Sequence, residues 1–491
     1  MKPLPMDIHT RERFLNNPLP GSLIKKVSWN TITPVAAYER IATGPYSFLL
    51  ESVKGSKTTA RYSFVGGEPF LVLRTKGLQA EIHRSGSRQV IQESPLTILK
   101  TLLDDFWVPR SEGLPCFPGG AVGFFSYDLV RLFEKLPRLS LEHPGWPDLL
   151  LMFTDTVIAF DHEQKTIQII YTPPKSHVVN TDRKTLLEKG LWKISQIEEK
   201  LTGPIQCRFS KRRSTPAGRP DSNFTKEQYI KMVLRCKEYI AAGDIYQANL
   251  SQRFSASFDQ DPWLLYKVLR KINPSPFAGF LHMEDLYLVS ASPERLIRRQ
   301  GDFLETRPIA GTRPRGKTSD EDRAMRTELF SSAKERAEHL MLVDLERNDL
   351  GKVCRYGSVQ VDEFMVAERY SHVMHIVSNI RGTLSPGTHL LDVIRSVFPG
   401  GTITGVPKIR CMEIIEELEP VVRGPYTGSF GYISFANEMD LNLIIRTFVI
   451  KNNRAYIQVG GGIVADSEPE REYGETLYKA EALLRALNHL R

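Results

Sequence analysis

Strand-like runs dominate this chain, yet few of them alternate with helices in the βαβ rhythm that a doubly wound sheet requires. Residues 45–82 and 148–171 are rich in β-branched and aromatic side chains and are divided by charged turns, the pattern of strands. After residue 224 the runs mix. Segments 328–346 and 406–418 carry helical periodicity, while 370–380, 432–435, 441–450 and 455–459 read as strands. No internal repeat orders them. The expected fold class is α+β.

A chain of 491 residues allows about two to four domains of ordinary size. The helix expected at 182–201 is followed by TGPIQCRFSKRRSTPAGRPDSNF, which mixes Pro, Gly, Ser and basic residues. This composition places an N-terminal β-rich domain at 1–201, a linker at 202–224 and a second domain at 225–491. Thr225 is the expected N-cap of a helix that Gly243 terminates. Ser467 and Glu470 are expected to form the capping box of a last helix running to Leu487.

The formal net charge of +8 favours anionic partners by steering. The one dense basic run, SKRRSTPAGR, holds no aromatic residue and belongs to the linker, which argues against nucleic acid. Five scattered cysteines form no CxxC pair and no cluster with histidine, as expected of reduced thiols in the cytoplasm. No secretory signal opens the chain, and no apolar run nears the roughly 20 residues of a membrane span.

Several constellations carry chemical promise. Glu335 and Glu338, three residues apart, share a helix face, and Glu472 and Glu475 repeat that spacing behind the glycine triplet 460–462. Two carboxylates from distant segments suit Mg²⁺, which keeps several waters and leaves room for an anionic substrate. The bland alternative is two solvated helix faces. FPGGTITGVPK (398–408) is a Gly-rich loop leading into a helix whose first turn carries Pro407 and Lys408, a place where free amides meet anions. On a strand at 370–380, His372 and His375 point to opposite faces. Arg446, inside the apolar run 441–450, is costly unless a carboxylate of protein or ligand pairs with it. There is no GxSxG, no GxGxxG and no cysteine framed by glycines as in glutaminases. These features suggest a magnesium-dependent enzyme for a small substrate bearing several carboxylates. LETRPIAGTRPRG (304–316), dense in turn-formers, reads as a surface loop whose Arg307, Arg313 and Arg315 have no evident structural duty.

Longer motifs go further. LLES with ARYSFVG (49–66), GDIYQANLSQRF (243–254), SASPERL (290–296), RPIAGTRPRG (307–316), ERAEHLMLVDLERNDLG (335–351), YSHVMHIVS (370–378), FPGGTITGVPK, IIRT, VGGGIVADS and EREYGET stand in the order found in one family. The chain resembles, from about Leu49 to its C-terminus, the chorismate-utilising enzymes that include anthranilate synthase component I and aminodeoxychorismate synthase component I. The resemblance implies two interlocked β-sandwich domains flanked by helices, with the active site mainly in the C-terminal, chorismate-binding one. It implies Mg²⁺ held by Glu338 and Glu475 and bridging to the ring carboxylate of chorismate. It also implies a separate glutamine amidotransferase subunit as the source of ammonia. His375, Glu294, Gln247 and Thr402 match catalytic positions. Gly311, Thr312, Tyr426, Arg446, Gly460, Gly461, Gly462 and Lys479 match substrate-binding ones. The arginines of the 304–316 loop then resemble the wall of a dicarboxylate site. Relatives that add water carry lysine where Gln247 stands, and an amide that cannot deprotonate water suits ammonia as the nucleophile. Ser52, with Pro276, Phe277 and Ala278 of NPSPFA, matches a tryptophan-type regulatory pocket.

Two branches of that family compete. Ala310 matches anthranilate synthases, whereas aminodeoxychorismate synthases often place a nucleophilic lysine there. Asn249, Gly400 with Thr404, and MDLNLIIRT match the aminodeoxychorismate branch instead. The expectation is amination of chorismate to 4-amino-4-deoxychorismate for 4-aminobenzoate and folate synthesis. The alternative is anthranilate and pyruvate formation, for tryptophan synthesis.

Overall fold

The computed structural model describes residues 14–15, 21–28, 32–53, 61–84, 86–110, 113–141, 145–205, 218–369 and 373–490. Of the linker 202–224, residues 206–217 lie outside this set, as does His372.

Two antiparallel sheets of twelve strands each organise the chain. In one, Tyr46–Glu51 pairs with Phe277–Met283, so a strand from before residue 202 continues into one from after residue 224. In the other, Gly120–Phe125 pairs with Ser429–Ser434 in the same manner. The two sheets are therefore shared by both halves of the chain. Strands buried on both faces, such as Leu149–Thr154 and Ser429–Ser434, occupy the middle of the second sheet. One apolar cluster, which includes Phe48, Phe64, Phe124, Met152, Leu288 and Phe430, joins residues of both sheets and both halves. The fold is α+β, as the strand rhythm predicts.

Helices flank the sheets. Arg183–Thr202 starts on Asp182, whose carboxylate accepts from the amides of Lys184 and Thr185. Lys226–Ala241 begins with a capping box between Thr225 and Gln228, and Gly243 follows it in the left-handed region at φ 83°. The last helix, Pro469–Asn488, departs from expectation at its start. Glu468 is its N-cap and Pro469 opens the first turn, while the Ser467 hydroxyl accepts from the Val464 amide in the preceding turn. The run 328–346 is not one helix. Ser319–Ser331 ends at Ser332, whose hydroxyl caps the next helix, Ala333–Gly351.

Two further expectations are corrected. Residues 309–314 form no surface loop but an edge strand, antiparallel to Val373–Thr383. Gly311, at φ 65°, makes the bulge between Ala310 and Thr312, and Pro314 ends the strand, so the turn-formers serve an edge rather than a turn. The apolar run 441–450 is not one strand either. Met439–Leu443 belongs to one sheet and Thr447–Lys451 to the other, with Arg446 at φ 50° in the crossing between them.

Candidate active site

The chain crosses between the sheets twice at one place. Leu286–Ser292 lies in the first sheet and Arg295–Gln300 in the second, and the link between them is Pro293–Glu294. The second crossing is 444–446. The two are tied together, the Leu443 amide donating to the Glu294 carbonyl and the Ala291 amide to that of Arg446. A crossing leaves side chains that belong to neither sheet's face. Glu294 and Arg446 are thereby set side by side in the interior.

Burial pushes the Glu294 carboxyl up to about 7, against the pull of the Thr402 hydroxyl, the Ile309 amide and Arg446. Burial also lowers the pKa of Arg446, which only Tyr478 and Glu294 oppose. Among the described residues, no carboxylate forms an ion pair with Arg446. A half-buried guanidinium with no ion-pair partner among the described residues is the arrangement a substrate carboxylate satisfies.

His375 stands on the 373–383 strand, 3% exposed. Its Nδ1 lies 3.1 Å from the Gly311 carbonyl and 3.0 Å from the Thr312 hydroxyl. A carbonyl only accepts, so Nδ1 carries the hydrogen and Nε2 is the basic nitrogen. Burial, helped by Arg446, lowers the imidazole to about 4, and it is neutral at pH 7. The bulge at Gly311 turns that carbonyl toward the histidine. It also admits Glu335, whose carboxylate oxygen would stand 2.8 Å from any Cβ at residue 311.

The floor of the site is the glycine-bare strip of the 454–463 strand, paired with Gln247–Ser257. A Cβ on Gly462 would meet Gln247 Nε2 at 2.2 Å. One on Gly460 would meet the Leu250 carbonyl at 2.6 Å, Asn249 Oδ1 at 2.7 Å and the Tyr426 hydroxyl at 2.9 Å. These glycines make room for two amides and a phenol. Gly461 faces the other way, under Glu472, Glu475 and Lys479. Lys479 donates to the Gly460 carbonyl (3.0 Å) and pairs with Glu475 (2.7 Å).

Carboxylates from two helices face one another here. Burial raises the Glu338 carboxyl to about 7; Lys334 opposes this, while Glu335, Glu472 and Glu475 add repulsion. Its Oε1 is buried and has no hydrogen-bond partner among the described residues. Glu472 is raised by burial, and Glu475 is held down by Lys479 and Lys334 against the same effect. Among the described residues no three acidic, histidine or cysteine groups enclose a cation by themselves. Glu338 and Glu475 nonetheless fit an ion that takes two carboxylates, waters and a substrate oxygen, since Glu338 Oε1, buried without a hydrogen bond, is met among the described residues only by Lys334 at 3.8 Å. Glu335, beside Glu338 as expected, also pairs with Arg313 at 3.2 Å.

The arginines of 304–316 do not form a substrate wall. Arg307 pairs with Glu363 and Glu368 (both 2.6 Å), Arg313 with Glu328 (2.8 Å) and Glu335, and Arg315 with Asp322 (2.6 Å). Protein carboxylates absorb all three charges and clamp the edge strand to its neighbours. Lys408 likewise serves Asp349 (2.5 Å) rather than an anion at the helix start. The residues Ser52, Pro276, Phe277 and Ala278 come together, lining a cavity of about 80 Å³ with Arg295, Arg298 and Asp440; the Ser52 hydroxyl donates to the Pro276 carbonyl. No described helix is long and apolar enough to cross a membrane. Asn249 entered the sequence argument only as a branch marker, and nothing in a strand pattern reveals that its amide oxygen is buried without a partner.

Known proteins resemble this chain in sequence and fold. The chorismate binding enzyme family matches residues 48–485. Anthranilate synthase component 1 of Acetivibrio thermocellus is 42% identical over 93% of this chain and 92% of its own length. Aminodeoxychorismate synthase component 1 of Bacillus subtilis (strain 168) is 41% identical over 94% of this chain and 96% of its own. The solved structure of anthranilate synthase component I from Streptococcus pneumoniae superposes with a TM-score of 0.77 at 33% identity, covering 94% of this chain and 99% of that one. The menaquinone-specific isochorismate synthase of Escherichia coli shares the fold, with a TM-score of 0.70 at 16% identity over 98% of both chains. With a match across most of its length and relatives above 40% identity, the chain belongs to the chorismate-binding enzyme family.

Proposed function

We propose that this chain is the component I of an aminodeoxychorismate synthase, aminating chorismate with ammonia from a separate glutaminase subunit to give 4-amino-4-deoxychorismate. The observation that carries the chorismate reading is Arg446, half-buried at the crossing of the two sheets with no carboxylate in an ion pair with it among the described residues. It faces one carboxylate of the substrate, beside Gly311, Thr312, Tyr426 and the 460–462 strip. Glu338 and Glu475 would hold Mg²⁺, which would supply positive charge to offset the substrate's carboxylates. Glu294, whose carboxyl is raised to about 7 and so keeps its proton on about half of the molecules at neutral pH, gives that proton to the departing 4-hydroxyl. Ammonia brings the electron pair that forms the C–N bond, and the proton it then sheds restores Glu294, so chorismate and ammonia yield aminodeoxychorismate and water. His375, fixed through Nδ1, presents Nε2 as an acceptor to the ring substituents. Gln247 replaces the base that a water-adding enzyme needs.

The branch assignment rests on Asn249, Gly400 and Thr404, which form one contact unit. The Asn249 amide donates to the Thr404 carbonyl (2.8 Å), and the Thr404 hydroxyl to the Gly400 carbonyl (2.9 Å). A second reading, anthranilate synthase component I, is favoured by Ala310, which offers no amine for a covalent adduct and sits opposite Ile376 on the edge strand. The chorismate reading is tested by following chorismate consumption with ammonium and Mg²⁺. Arg446→Gln should raise the KM for chorismate at least about tenfold while the fold persists; an unchanged KM removes Arg446 from the substrate site.

A further inference from the structure

Gln247 and Asn249 are two apart on one strand, so their side chains share a face. That face lies over Gly462 and Gly460, whose missing side chains leave the space the two amides fill. Gln247 Oε1 and Asn249 Oδ1 are both buried and both lack a hydrogen-bond partner among the described residues. The amide nitrogen of Asn249 faces the Thr402 carbonyl at 3.5 Å, which fixes the oxygen on the side of Gly460 and the Tyr426 hydroxyl. Two buried acceptors left without donors are unfavourable in the empty protein, and they select a ligand that donates. A carboxylate cannot answer them, because it only accepts. Ammonia can, offering three N–H donors while its lone pair remains directed at the ring.

We propose that Asn249 is a nucleophile-holding residue: its Oδ1, with Gln247 Oε1, accepts N–H bonds from ammonia and orients the lone pair toward bound chorismate. This rests on the chorismate-aminating reading. Gln247 alone would leave ammonia free to pivot about one bond, whereas two acceptors along the strand define a direction. Asn249 thereby sets where on the ring nitrogen enters, and this gives its placement among the branch-distinguishing residues a physical basis.

The test uses the full-length protein with chorismate, Mg²⁺ and ammonium chloride at one fixed pH, and reads the KM for ammonium and the KM for chorismate separately. Wild-type turnover is the control arm; if the wild type incorporates no nitrogen, the aminating reading itself fails. Given turnover, Asn249→Ala should raise the KM for ammonium at least about tenfold and leave that for chorismate within about twofold. Asn249→Asp, which keeps an acceptor oxygen in place, should restore the ammonium KM to near the wild-type value. An ammonium KM unchanged in Asn249→Ala overturns the proposal. So does a chorismate KM that rises in step, which makes the substrate hydroxyl the donor, or a failure of Asn249→Asp to restore ammonium use.

Discussion

Glu294 holds its proton up to about pH 7 because the sheet crossing buries it, and this has a cost in stability. Its carboxyl titrates near 7 in the folded protein against 4.5 when unfolded, so folding loses stability as pH rises between those values. Above about pH 7 the full penalty applies, and below about 4.5 there is none. Glu294→Gln should therefore stabilise the protein at pH 8 by up to roughly 3 kcal/mol, at about 1.4 kcal/mol per pH unit, and leave stability at pH 4.5 unchanged. Chemical denaturation at the two pH values reads the difference. The same substitution removes the proposed proton donor, and turnover should fall by about 10² to 10⁴. A variant both more stable and inactive is the signature of a buried acid retained for chemistry. At the carboxylate pair, Glu338→Gln or Glu475→Gln should abolish turnover at ordinary Mg²⁺ while the circular dichroism spectrum is unchanged. Retention of more than about a tenth of the wild-type rate, roughly 1.4 kcal/mol of barrier, would withdraw that residue as a ligand.

At the scale of elements, the two glycines of the 454–463 strand should respond differently to alanine. A Cβ at Gly462 collides with the far end of the Gln247 side chain, which can swing away. Gly462→Ala should thus fold almost normally and lose activity. A Cβ at Gly460 meets the Leu250 carbonyl of the neighbouring strand, which cannot move alone. Gly460→Ala should lower stability by about 1–3 kcal/mol in urea melts, the usual cost of overpacking. The edge strand 309–314 offers a converse case. Since Arg315 is held by Asp322, Arg315→Ala should weaken the fold and leave the chorismate KM within about twofold; a tenfold rise would return this arginine to the substrate wall. Such partners explain what the sequence conceals. The acids that neutralise Arg307, Arg313 and Arg315 lie in later helices and strands, so the run looks unpaired when read alone. The break at Arg446 is equally hidden, because apolar periodicity does not record a change of sheet. The strand rhythm, the cap at Thr225, and the pairing of Glu338 with the last helix are legible, because each follows from local spacing or a family motif.

At the scale of the molecule, both sheets draw strands from either side of the 202–224 segment, and the site lies where the chain passes between them. The chain holds no glutaminase motif, and the proposed reading therefore has glutamine's nitrogen delivered by another subunit. The purified chain alone should consume chorismate with ammonium, faster at alkaline pH where more free ammonia exists, and should be inert with glutamine. Glutamine-dependent turnover by the single chain would overturn the two-subunit account. The central claim, that this site aminates chorismate and keeps its side chain, is tested most directly by the product. Incubated with chorismate, Mg²⁺ and ¹⁵N-ammonium, without any lyase, the protein should give an aminodeoxychorismate that carries the label, retains its enolpyruvyl group and shows no anthranilate fluorescence. Labelled fluorescent anthranilate accompanied by an equal amount of pyruvate would contradict it, and would make Ala310 the residue that identifies the reaction.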